Sequence, residues 1–245
     1  MRKHPHILIP LGVLLLCLVL LAALTWRGVL WPNRLFARGY TVKGVDASAY
    51  QGEIDWPVLA GEGVDFAFIK ATEGSGFVDP RFADNWRAAQ AAGVRVGAYH
   101  FFSFDSPGGT QADRFIAAVP ATEGMLPPTV DVELYGAHKK SPPDAETVRA
   151  ELRVLLDRLE ARYGAKPIIY TLESEYARYI QGAFDDYDLW IRNVVTPPRV
   201  SGWTFWQYSS RDRLAGYEGP EAYIDRNAFY GSHEALEALC VSSTR

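Results

Sequence analysis

At 245 residues and 48% hydrophobic composition, the chain is long enough to bury one sizeable core or two small ones. Its net charge of −4, with acids and bases mixed along the chain, excludes the clustered Lys/Arg face that nucleic-acid binding needs, so no nucleic-acid partner is expected. Seven Trp and thirteen Tyr suit a carbohydrate groove as well as an ordinary core, and composition alone leaves both open.

The first element is apolar. Residues 7–24 carry no charge, following Arg2 and Lys3 and preceding Trp26, Arg27 and Trp31. The run exceeds the roughly 7–15 residues of a signal-peptide core, and a small-residue cleavage pattern is lacking. It is therefore read as a transmembrane signal anchor over 1–31, followed by a linker over 32–41 and a barrel domain over 42–245. That reading places the domain outside the cytoplasm, periplasmic or extracellular, with the membrane as a partner through the N-terminal helix. Cleavage of the segment would make it secreted. The two cysteines, Cys17 and Cys240, are too differently placed to pair, so neither a disulfide framework nor a metal site is expected.

Eight strand-like runs follow: "KGVDAS", "DFAFIKAT", "RVGAYHFF", "PTVDVEL", "KPIIYT", "DLWIRN", "TFWQYS" and "AYIDRNAF". Helical stretches separate the early ones, at 80–92 and 110–119. The clearest helix spans 144–163, with Val148, Leu152, Leu155, Leu156 and Leu159 on one face. Shorter helices are predicted at 173–181 and in "GSHEALEALC". Strands alternating with helices predict an α/β fold, and eight of them predict a closed (β/α) barrel. The connections 194–202 and 210–222 show no helical period, so helices are expected to be missing between the last strands.

"TVDVEL" places Asp131 and Glu133 two apart on a strand, hence on one face with Cα atoms roughly 6.5 Å apart. Such a pair is often the wet face of an edge strand. In the fourth strand of a barrel its end instead faces the mouth where barrel enzymes do chemistry. Asp46 in "KGVDAS" and Asp225 in "AYIDRNAF" sit at the ends of strands one and eight, which are neighbours in a closed barrel. All four acids can converge there, and crowded carboxylates raise the proton affinity of at least one. Glu133, longer and nearer the strand end, better reaches a glycosidic oxygen. Lys70, closing "FIK", would pair with a carboxylate or a substrate oxygen, or simply form a structural ion pair.

These segments, with "YQGEIDW", "FVDPRFADNWRAAQAAG" and "GWTFWQYS", resemble glycoside hydrolase family 25, the Chalaropsis-type lysozymes, in order from Gly44 to Gly231. The resemblance implies an irregular barrel that cleaves the β-1,4 bond between N-acetylmuramic acid and N-acetylglucosamine in peptidoglycan, as a monomer without cofactor. It implies Glu133 as general acid, Asp131 as the residue assisting the N-acetyl group or stabilising positive charge, and Asp46 and Asp225 as the remaining cluster members. It also implies Tyr99, Tyr170 and Trp206 in the sugar groove. His100 is open between groove and core, while Gln51, Trp86 and Gln207 read as structural. After "LWI" the chain departs from the family pattern with Arg192, Asn193 and Val194. A chitinase-like N-acetylglucosaminidase and an inert wall-binding module are the alternatives.

Overall fold

Eight strands, numbered in chain order, close on themselves: β1 Lys43–Ala47, β2 Phe66–Glu73, β3 Arg95–Phe101, β4 Thr129–Val132, β5 Ile168–Leu172, β6 Leu189–Arg192, β7 Phe205–Asp212 and β8 Ile224–Phe229. The protein is described from a computed structural model, which covers residues 5–27 and 32–242. Strands β1 to β7 pair in parallel from neighbour to neighbour. β8 closes the ring, antiparallel to both β7 and β1. The connection from β7 to β8 contains no helix. Part of it, Tyr217–Glu218, instead pairs with Glu53–Ile54 as a two-stranded ribbon. The predicted barrel with helices missing between its last strands is therefore observed, with a reversed final strand that periodicity alone does not reveal.

Alternation along each strand divides the core in two. Phe66, Phe68, Ile168, Tyr170, Trp190, Phe205 and Phe229 fill the barrel interior. Space for the two β2 phenylalanines comes from glycines on the flanking strands. A Cβ on Gly44 would lie 2.4 Å from the Phe66 ring, and one on Gly97 2.7 Å from the Phe68 ring. Outward-facing Val45, Ile69, Val130, Val132 and Ile191 pack beneath the helices. The longest helix of that layer, Ala145–Tyr163, starts where Asp144 accepts the Thr147 N–H at 2.9 Å and stops at Gly164, whose φ is 71°. It buries Val148, Leu152, Leu155, Leu156, Leu159 and Tyr163. The helix predicted over 173–181 is one turn, Glu173–Glu175, followed by a π-turn, Tyr176–Ile180.

The N-terminal apolar run forms a helix, Pro5–Trp26. Its side chains are described over 9–25, and no helix among the described residues is long and apolar enough to cross a membrane. The expected transmembrane span thus has no support at the level of the fold. Arg2, Lys3 and Trp31 lie outside the described residues. The stretch read as a linker is helical at Asn33–Phe36 and Ala37–Gly39. Asn33 is buried and donates through Nδ2 to the carbonyls of Asn193 (2.9 Å) and Tyr208 (3.2 Å).

Candidate active site

The parallel strands present their C-terminal ends at one mouth of the barrel, and the reversed β8 presents its beginning there. Asp225, the second residue of β8, therefore lies directly across the ladder from Asp46 of β1. Asp131 comes from β4, and Glu133 from the residue just beyond that strand. All four acids line a single open groove of about 820 Å³.

Around Asp46 the hydrogen bonds fix which groups carry protons. Its Oδ2 accepts from Gln207 Nε2 at 2.9 Å and from Asn227 Nδ2 at 2.8 Å. Neither amide can turn its oxygen inward without loss, because Gln207 Oε1 accepts from the Tyr170 hydroxyl (3.0 Å) and Asn227 Oδ1 from Trp190 Nε1 (2.8 Å). Two donors aimed at one carboxylate oxygen demand an acceptor. Burial raises the pKa of Asp46, and the bonds from Asn227, Gln207 and Asp225 oppose that rise. Burial and then the Asp46 charge push Asp225 well above the ordinary carboxylate range. The pair therefore shares one proton, carried by Asp225 and directed at Asp46.

Asp131 and Glu133 form the second pair. Burial, then the Glu133 charge, lifts Asp131 well above its usual value, and Lys70 opposes this. Burial also raises Glu133, against the fields of Arg192 and Lys139. Asp131 Oδ1 is buried and has no hydrogen-bond partner among the described residues. An unpartnered buried oxygen costs about 1–3 kcal/mol, so this atom is poised to receive a donor from outside the protein.

Tyr99 and Tyr170 line the groove, as the sequence leads one to expect. Lys70 also lines it, but its Nζ lies 2.7 Å from Glu73 Oε2 and rests over the rings of Phe101 and Phe77 at 5.1 and 5.5 Å. Trp206 is not in the groove, and that expectation is corrected. Phe205 and Gln207 point inward on β7, so Trp206 between them faces out, packs with Ala37, Tyr208 and Ala228, and donates to the Asn193 carbonyl at 2.8 Å. Trp190, not singled out in the sequence, is the indole that reaches the groove. Asn227 was also missed, though it lies two residues after Asp225 and so shares its face. His100 is a core residue. Gln111 spends its amide N–H groups on the carbonyls of Ser103 and Ser106, so its oxygen accepts from His100 Nε2 (2.9 Å), while Nδ1 accepts from Thr72 Oγ1 (2.7 Å). Burial lowers the His100 pKa to about 4, leaving the ring neutral.

With two pairs of carboxyl groups of raised proton affinity facing an open groove, the arrangement can protonate a leaving group and stabilise a cationic transition state, as hydrolysis of a glycosidic bond requires. Among the described residues, no group of three or more His, Cys, Asp or Glu is arranged to hold a metal ion.

Comparison with known proteins places this geometry. The sequence model of glycosyl hydrolases family 25 matches residues 45–217. YegX of Escherichia coli (strain K12) is 38% identical over 208 residues, 82% of this chain and 74% of its own. Lysozyme M1 of Streptomyces globisporus is 35% identical over 215 residues, 81% of this chain and 71% of its own. Among solved structures, a family 25 glycosyl hydrolase from Bacillus anthracis superposes with a TM-score of 0.78 at 51% identity, covering 82% of this chain and 94% of that one. With sequence and fold in agreement across most of the barrel, the chain belongs to glycosyl hydrolase family 25.

Proposed function

We propose that the protein is a lysozyme, an N-acetylmuramidase that hydrolyses the β-1,4 bond between N-acetylmuramic acid and N-acetylglucosamine in peptidoglycan. The observation that carries this reading is the convergence of Asp46, Asp131, Glu133 and Asp225 on one groove open enough for a polysaccharide. Relatives named lysozyme and N,O-diacetylmuramidase support the substrate.

Glu133 serves as general acid. It lies beyond the strand end and is the less buried member of its pair, so it reaches a glycosidic oxygen in the groove. Asp131 assists. When its unpartnered Oδ1 accepts the N–H of the substrate's 2-acetamido group, the carboxylate form of Asp131 is favoured, and its negative charge in turn favours the protonated form of Glu133. Substrate binding thereby arms the acid. Asp46 stays ionised under its two amide donors and stabilises the oxocarbenium-like state.

The barrel domain, taken as residues 42–245, works outside the cytoplasm, and one chain supplies all four acids of the groove, so that a monomer suffices for the reaction. The N-terminal segment, 1–31, is proposed to hold it at the membrane. In its support, Leu11, Leu14, Leu15, Leu18 and Leu21 of the Pro5–Trp26 helix are each more than half exposed. Extraction of cell membranes with alkaline carbonate tests this: retention in the pellet is expected, and release into the supernatant would contradict it.

Digestion of purified peptidoglycan, with mass spectrometry of the new reducing ends, tests the activity. Muramic acid ends are expected. Glucosamine ends would assign a glucosaminidase, and no ends at all an inert binding module.

A further inference from the structure

Three cations stand on one arc of the groove, and the reaction as described uses none of them. Lys139 follows β4, Arg178 follows β5 and Arg192 ends β6, three strands that are consecutive neighbours in the barrel. Their side chains make no hydrogen bond or ion pair with protein groups among the described residues, although Glu133 and Glu175 line the same groove. Lys70, on β2 across the mouth, is by contrast held by Glu73. The field of Arg192 reaches all four acids, so this arc borders the point of cleavage. The facing wall has the opposite sign. There the groove continues into a recess of about 230 Å³ lined by Asp46, Tyr50, Tyr99, Glu221 and Asp225. A substrate carrying anions on one side only would be oriented by such a groove.

We propose that Lys139, Arg178 and Arg192 form an anion-receiving wall that takes the carboxylates of the lactyl-linked peptide borne by muramic acid. The inference rests on the muramidase reading and names the part of the substrate this site selects. A glycan of N-acetylglucosamine alone is neutral and offers these groups nothing. Muramic acid in peptidoglycan carries a peptide with free carboxylates, and a guanidinium fork matches a carboxylate with two parallel hydrogen bonds. The acidic wall repels the same peptide, so attraction and repulsion act together to set the orientation of the glycan.

The test uses soluble peptidoglycan fragments free of phosphate polymers, in two forms: with native peptide carboxylates, and with those carboxylates converted to primary amides. Wild-type kcat/KM is expected to fall about five- to tenfold on amidation, chiefly through KM. The double variant Lys139→Ala/Arg178→Ala is expected to lose a similar factor on native fragments and most of its sensitivity to amidation, Arg192 keeping the remainder. Arg192→Lys, which keeps the charge, should retain more discrimination than Arg192→Ala. Thermal melts check folding, and Lys139→Glu at an exposed position repeats the comparison should the double variant melt early. A wild type indifferent to amidation, or variants that lose equally on both substrates, would overturn the proposal. Those outcomes leave the muramidase reading standing as long as muramic acid ends are released. Their absence from both substrates would sink that reading and this proposal together.

Discussion

Asp131 and Glu133 stand two positions apart, and that spacing alone made their shared face legible. What the spacing could not convey is which oxygen lacks a partner, because that depends on neighbours from other strands. Asp131 illustrates the cost of such a site. Its folded pKa is raised, so the folded state binds the proton more tightly than the unfolded chain does. The associated stability is present below the unfolded value and is lost as pH rises through the folded one. Asp131→Asn is therefore expected to raise the melting temperature at pH 7, to leave it nearly unchanged near pH 3, and to suppress activity. Melting curves at the two pH values check this, and a destabilised variant at pH 7 would count against the burial argument. His100 has the opposite sign. Its folded pKa, about 4, lies below the unfolded 6.5, so stability is present above pH 6.5 and is lost as pH falls towards 4. The loss amounts to about 3 kcal/mol. His100→Gln should flatten that part of the stability profile, as urea titrations across this range would show.

At the scale of single elements, β7 shows where sequence reading failed. "TFWQY" offers two aromatic residues before a glutamine and one after it, and a one-residue change in parity exchanges groove for exterior. The family resemblance placed Trp206 in the groove, whereas the strand turns Gln207 inward. Outside the barrel, Trp206 packs with Tyr208 and with Tyr40 and Ala37 of the segment before β1, where no crossover helix covers the strand. Asn33 anchors that segment, and Arg34 pairs with Asp212. Trp206→Ala is thus expected to cost about 3–5 kcal/mol of stability while leaving KM for peptidoglycan unchanged. A raised KM with an unaltered melt would return Trp206 to the groove. The Ala145–Tyr163 helix, by contrast, was legible to within one residue, since its apolar stripe is local. Asp144→Ala should cost about 1 kcal/mol through loss of its cap, measurable by denaturant unfolding.

For the whole molecule, eight apolar runs and their spacing were enough to predict a closed barrel, and the helix-free connections were visible as missing periodicity. The direction of β8 was not, because a strand reads alike in either orientation. That reversal has a functional consequence. It brings the first residues of β8 to the mouth, so that Asp225 meets Asp46 across the ladder and Asn227 supports it from below. A parallel eighth strand would leave Asp225 at the opposite end of the barrel. Fold and chemistry are thus linked by one topological feature, and its product is a groove in which burial and mutual repulsion raise the proton affinity of four clustered carboxyl groups. The central claim is that Glu133 delivers a proton to the muramyl bond. Its most direct measurement is the rate at which new muramic acid ends appear from peptidoglycan with the wild type and with Glu133→Gln, both checked for an intact melt. The account predicts a variant slower by about 10²–10⁴-fold. Equal rates from two equally folded proteins would contradict it.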